Sequence, residues 1–131
     1  MTQEDKELLL KEDLCARFPY GVKLEVKYQE GAWKLFAIYY EWDKLYVIGD
    51  GGYPIESKFA DCKPYLFPIS SMTEEEKEEY CQLQQRVIYN SKGVVNKDVA
   101  KYIRWCYKKH LDINNLIPIG LAIDATNLSI Y

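Results

Sequence analysis

The chain is poor in the residues that most enzymes depend on. It has one histidine in 131 residues and four cysteines, none of them in a C-x-x-C pair. Zinc hydrolases need several histidines or clustered thiolates, so this spacing excludes their usual ligand sets. Neither G-x-x-x-x-G-K-[ST] nor G-x-G-x-x-G occurs, which removes the P-loop and the dinucleotide fingerprint. No cofactor or metal is expected. No apolar run approaches a membrane span, and the opening Met1-Thr2-Gln3-Glu4-Asp5-Lys6-Glu7 is too polar for a secretory leader. The expectation is a cytosolic protein without membrane contact. There, Cys15, Cys62, Cys81 and Cys106 read as free thiols, mostly small buried hydrophobes. Four thiols can still pair, so an oxidised form stays open. The net charge is only −3, which gives no reason to expect nucleic acid as a partner.

Tyrosine, by contrast, is plentiful at 12 residues. Its ring is apolar and its tip polar, so it suits half-buried sheet faces and recognition surfaces alike. The length suits one domain, residues 1–131. Thr2 with Asp5 predicts a capped helix start, and Leu10, Leu14 and Phe18 form its buried stripe, flanked by Leu8 and Cys15. Pro19 and Gly21 stop this helix near Arg17 or Phe18. The period then changes to two. Val22, Leu24, Val26 and Tyr28 alternate with polar residues and predict a half-buried strand.

Gln29-Glu30-Gly31 turns the chain. Trp33 to Trp42 is apolar on both faces, with Leu35, Ala37 and Tyr39 on one and Phe36, Ile38 and Tyr40 on the other. Such a strand belongs mid-sheet, under a helix on one side. After a Trp42-Asp43 turn, Lys44–Gly49 predicts a third strand of an antiparallel meander. Asp50-Gly51-Gly52 is a turn, and Pro54 makes Tyr53–Phe59 an edge strand. Ala60–Ile69, with Pro64 and Pro68, reads as loop or extended chain.

Thr73 and Glu76 form a T-x-x-E capping box for a second helix, whose stripe is Tyr80, Leu83, Val87 and Ile88. Ser91-Lys92-Gly93 ends it. Asn96 caps a third helix, with Val99, Ile103, Cys106, Tyr107 and His110 as its stripe and Lys108, Lys109 and His110 at its dipole-favoured end. The apolar stretch from Leu116 to Ile123 is either a final strand or an irregular packed segment. The fold class is α+β: an N-terminal helix, a small antiparallel meander that could curl into a partly open barrel, and two C-terminal helices packed on it.

Few residues suggest chemistry. His110 lies on an apolar helix face and reads as a satisfied, part-buried histidine or a dipole partner. No spacing supplies the orienting partner that a general base needs. The Asp50-Gly51-Gly52 turn lacks any phosphate-binding context. Glu74 to Glu79 is most simply a solvated, dipole-favoured face. The helix face carrying Lys101, Arg104 and Lys108, with Trp105 beside it, can grip an anion and stack a ring. Lys92 to Lys109 carries six Lys or Arg against Asp98, whereas Thr73 to Tyr80 carries five Glu against Lys77. That asymmetry hints at an oriented macromolecular contact.

Three blocks carry a family likeness. They are Leu14 to Gly21 (LCARFPYG), Lys63 to Tyr80 (KPYLFPISSMTEEEKEEY) and Asn115 to Ala125 (NLIPIGLAIDA). Together they resemble a group of small uncharacterised proteins from phages, prophages and mobile elements of gut bacteria. That group usually has Arg after the Leu of the middle block, where this chain has Phe67. The resemblance implies a phage or mobile-element origin and no particular activity.

The leading expectation is a non-enzymatic binding protein that contacts a host or phage macromolecule, most simply a protein. Its contact residues would be Tyr39, Tyr40, Trp42, Tyr46 and Tyr53 on the sheet and Lys101, Arg104, Trp105 and Lys108 on the third helix. The alternatives are a small-ligand protein that binds or sequesters a nucleotide signal, a virion-associated structural protein, and an enzyme using an acidic pair or His110. Oligomeric state is not written in the sequence.

Overall fold

In a computed structural model that describes residues 1–88 and 96–131, Thr2 opens helix α1 (Gln3–Arg17). The Thr2 hydroxyl accepts from the Asp5 amide, and the Asp5 carboxylate accepts from the Thr2 amide. This is the reciprocal cap that the spacing predicts. Leu10 and Leu14 are buried, but Phe18 and Leu8 are exposed. The helix gives way at Phe18–Tyr20 to a 3₁₀ turn, which moves the Phe18 ring out of the i+4 register. On the buried side of α1 stands an ion pair that the stripe reading missed. Arg17 Nε lies 2.7 Å from Asp13 Oδ2, and both side chains are fully buried.

Among the described residues, six strands form one open sheet in the order β4-β3-β2-β1-β5-β6. They are β1 (Lys23–Val26), β2 (Trp33–Tyr39), β3 (Lys44–Ile48), β4 (Pro54–Lys58), β5 (Cys62–Leu66) and β6 (Ile123–Asp124). Every pairing is antiparallel except β5 with β6. β4 and β6 end the order without pairing to each other, so the sheet does not close into a barrel.

Val22, just before β1, and Leu24 and Val26 within it are buried as the alternation predicts. Tyr28 does not join them. The strand ends at Val26, and Tyr28 sits in a left-handed turn (φ 68°) with its ring in solvent. β2 is interior, with β1 and β3 as neighbours, but it ends at Tyr39 rather than Trp42. A bulge between Leu35 and Ala37 shifts its register. Before it Leu35 faces the core, and after it Ile38 does, so the two predicted faces do not run through the strand. α1 and the core side of the sheet enclose one cluster, which includes Leu10, Leu14, Leu24, Leu35, Leu45 and Val47. Phe36 and Tyr39 remain exposed.

β4 is the edge strand that Pro54 suggested. The stretch read as loop or extended chain contains β5, an interior strand with Pro64 opposite Leu24. β6 partners only Tyr65 and Leu66, so Pro64 has a strand on one side alone, a setting that proline tolerates.

Helix α2 (Glu74–Ile88) carries the predicted capping box. Thr73 Oγ1 accepts from the Glu76 amide, and Glu76 Oε1 accepts from the Thr73 amide. Leu83 is buried, whereas Ile88 is exposed. The stop at Ser91-Lys92-Gly93 and the cap at the Asn96 side chain lie outside the described residues. Helix α3 (Asn96–Lys108) buries Cys106 but exposes Ile103, and Tyr102 and Trp105 pack inward in its place. The two helices do not roof the sheet, because α1 already covers its core face. They pack on each other and build a second cluster from Met72, Cys106 and Leu111 with Phe67, Tyr80, Tyr102, Trp105 and Ile113. The tail packs as turns around buried Leu116, Ala122 and Ala125, with β6 as its short strand. Among the described residues no helix is long and apolar enough to cross a membrane.

Candidate functional site

The sheet-side candidates converge on the connection between β2 and β3. Tyr39 closes β2, and a 3₁₀ turn carries Tyr40 to Trp42. Asp43 takes the left-handed conformation (φ 55°) that returns the chain into β3. The three rings stand in solvent, with Tyr39 at 51%, Tyr40 at 45% and Trp42 at 72% exposure. Together with Glu41 they border a shallow depression of about 330 Å³.

This aromatic ledge is held from α1. Lys11 Nζ lies 3.2 Å from Asp43 Oδ1, 4.6 Å from the Tyr40 ring centroid and 5.4 Å from that of Phe59. One ammonium thus ties the turn to the helix by an ion pair and two cation–π contacts. Tyr46 on β3 meets Tyr39 edge to face, with centroids 5.6 Å apart. Tyr53 is not part of this group. It precedes β4 at the end where Ile48 pairs with Pro54, whereas the ledge sits at the end where Lys44 pairs with Lys58.

Beside the ledge lies a groove of about 530 Å³. Trp42, Asp43 and Lys44 form one wall, Ile55 to Lys58 of β4 form another, and Val26, Lys27, Gln29 and Asp61 complete it. Its charges balance, with three Lys against Asp43, Glu56 and Asp61. Lys44 Nζ pairs with Glu56 Oε1 at 2.9 Å, and that bond raises the lysine pKa.

The α3 candidates do not join the ledge. Lys101, Arg104 and Lys108 are exposed on α3. Trp105 is half-buried in the second cluster, and its Nε1 donates to Glu79 Oε2 at 2.7 Å, so its ring is not the free stacking platform foreseen. Lys109 Nζ stands 3.8 Å from Glu76 Oε2. The acidic start of α2 and the basic end of α3 therefore meet each other. Part of the charge asymmetry is spent within the chain.

His110 lies just past α3 in the left-handed conformation (φ 56°). Its ring stacks on Tyr131, with centroids 3.7 Å apart and planes 12° apart. Burial, aided by the Arg17 and Lys23 charges, lowers its pKa to about 4. The imidazole is therefore neutral near pH 7 and is not the cationic dipole partner anticipated. Nor is it satisfied, since Nδ1 is buried without a hydrogen-bond partner among the described residues.

The Tyr131 hydroxyl accepts from the Lys23 amide at 2.9 Å and donates to the Tyr65 carbonyl at 2.8 Å, bridging β1 to β5. His110, Tyr131, Lys108, Lys109, Phe67 and Met72 are among the residues lining a cavity of about 430 Å³. Cys62 and Cys106 are buried free thiols, while Cys15 is half-buried and Cys81 exposed. Burial raises the Cys106 pKa to about 11, so it is a thiol and not a thiolate near pH 7. Among the described residues no group of three or more His, Cys, Asp or Glu is placed to hold a metal ion.

Sequence reading missed Lys11, the groove residues of β4 and the Tyr131 stack. Only β4 left a signal, as an edge strand with alternating Ile55 and Ser57. In comparisons with protein-family models, curated proteins and solved structures, nothing matches this chain.

Proposed function

We propose that this chain is a non-enzymatic binding protein that works in the cytosol and holds a protein partner through the ledge of Tyr39, Tyr40 and Trp42. The observation that carries the reading is exposure combined with a tether to the neighbouring helix. Three large rings face solvent on a short turn that Lys11 clamps to α1. Aromatic anchors supply much of the energy of protein interfaces. A phage or mobile-element origin is proposed on the sequence resemblance alone.

The test is partner capture from bacterial lysate, quantified by mass spectrometry. The Tyr40→Ala/Trp42→Ala protein is expected to lose its partner signal by about tenfold or more, in the range of an interface anchor. Lys101→Ala/Arg104→Ala is expected to keep that signal. Equal capture by all three proteins would defeat the proposal.

A second reading attaches to the cavity of about 430 Å³. Its Phe67, Met72 and Leu111 lining and its Lys108, beside a Lys109 already paired with Glu76, suit a small aromatic anion such as a nucleotide. A tight ligand raises the melting temperature by mass action. Cyclic or linear nucleotides are expected to raise it in the native protein and not in Lys108→Glu. No rise with any nucleotide would remove this reading.

A further inference from the structure

We infer that the open edge of β4 receives an extended segment of a partner protein as an added strand. Alternate side chains of that segment would enter the groove beside Trp42. The inference rests on the reading of this chain as a protein-binding module and names how the partner is held.

Two independent observations carry it. The first is the edge itself. β4 pairs with β3 on one side and has no strand on the other among the described residues. An edge strand presents unpaired N–H and C=O groups, a template for another chain. Pro54 has no donor, and along Ile55 to Lys58, paired antiparallel with β3, every second residue turns its N–H and C=O to the open side.

The second observation is the groove directly under this edge. In the pairing with β3, Ile55 stands opposite Val47 and Ser57 opposite Leu45, both core-facing residues. Ile55 and Ser57 are half-buried, while Glu56 and Lys58 are exposed. The strand thus offers its backbone outward and its Ile55 and Ser57 side chains to a cavity of about 530 Å³. That combination is what strand addition uses. Main-chain bonds give affinity, and pockets for every second side chain give specificity.

The groove also states what the segment carries. Val26, Ile55 and Trp42 provide apolar surface for one aliphatic or aromatic side chain. Glu56 is paired with Lys44, whereas Lys27, Lys58 and Asp61 have no ion-pair partner among the described residues. Two cations against one carboxylate favour an acidic residue next to the anchor. Trp42 belongs to both surfaces, so a strand on β4 continues onto the ledge.

The test selects a phage-displayed library of short random peptides on the full chain, then measures the enriched peptides by fluorescence anisotropy. Enriched peptides are expected to carry an aliphatic or aromatic residue beside Asp or Glu. N-methylation of the residues that face the edge should weaken them by about tenfold or more, and N-methylation of the alternate residues should not. Lys58→Glu should weaken the same peptides. The inference is overturned if nothing is enriched, or if N-methylation of the edge-facing residues has no effect. It is also overturned if light scattering shows a doubled mass that Lys58→Glu abolishes, which would make the occupant a second copy. Peptides that lose binding in Tyr40→Ala but ignore N-methylation would sink strand addition and leave the ledge reading standing. Peptides indifferent to ledge and groove variants would sink both.

Discussion

Arg17 is the bulkiest side chain buried outright, and Asp13 one turn before it is equally hidden. Arg17 Nη2 also donates to the Leu111 carbonyl at 2.7 Å, and Asn114 donates to Asp13 Oδ1 at 2.8 Å. The pair therefore stitches α1 to the turn after α3. Removing one partner strands the other charge away from water. Asp13→Ala is expected to cost about 3–5 kcal/mol in urea denaturation, and Asp13→Leu/Arg17→Met is expected to cost much less. The sequence reading missed this pair, because Asp and Arg on a helix ordinarily mark the wet face.

His110 gives a second test at this scale. Its folded pKa of about 4 lies below the ordinary 6.5. As pH falls, the unfolded chain takes the proton first. The neutral ring's contribution is complete above about 6.5 and is lost as pH drops through about 4. The melting temperature is expected to fall across that window. His110→Phe, which keeps a ring against Tyr131, is expected to flatten the fall. An unchanged slope would contradict the buried neutral ring.

At the scale of elements, the sheet shows where periodic reading succeeds and where it fails. β1, β3 and β4 obey simple alternation bounded by turn residues, and all three were legible. β5 was hidden by Pro64, because its tolerance of proline depends on how short β6 is. The bulge at β2 was invisible, since Leu35 to Tyr40 is apolar throughout and any register looks acceptable. α3 turned out rotated by about one position because Tyr102 and Trp105 found partners on α2. Tyr80 and Tyr102 share a hydroxyl contact at 3.1 Å, and their rings lie 5.7 Å apart. Such pairings belong to tertiary structure and leave no local trace.

Gly49 gives the test for this scale. A Cβ there would lie 2.9 Å from the Trp33 ring, which is pinned because its Nε1 donates to the Glu30 carbonyl at 3.0 Å. Gly49→Ala is expected to cost about 1–3 kcal/mol by overpacking. Gly51→Ala, with nothing within 4 Å of its added carbon, is the matched control and should change little. Chemical denaturation of the two side by side decides it.

For the molecule as a whole, the α+β class and the order of its elements were legible because each begins or ends on a local signal. The division of labour among the helices was not. α1, with Phe59 and the tail residues Leu116 and Ala122, closes the sheet's core, while α2 and α3 contribute to a second one. The rings of Phe36 and Tyr39 on β2 stay exposed. The binding candidates on the sheet were partly readable as tyrosine-rich strands, but the clamp that ties the ledge to α1 was not. Lys11 reaches Asp43 across 32 residues of sequence, a closure that only the folded topology supplies.

The bridge made by the Tyr131 hydroxyl has a spectroscopic consequence. The amide proton of Lys23 is shielded by a phenol at the far end of the chain, and not by the neighbouring strand. Its hydrogen–deuterium exchange rate therefore reports whether residues 126–131 are seated, independently of the rest of β1. Anything that lifts the Tyr131 ring off His110 would speed exchange at that single amide while those of β3 stayed slow.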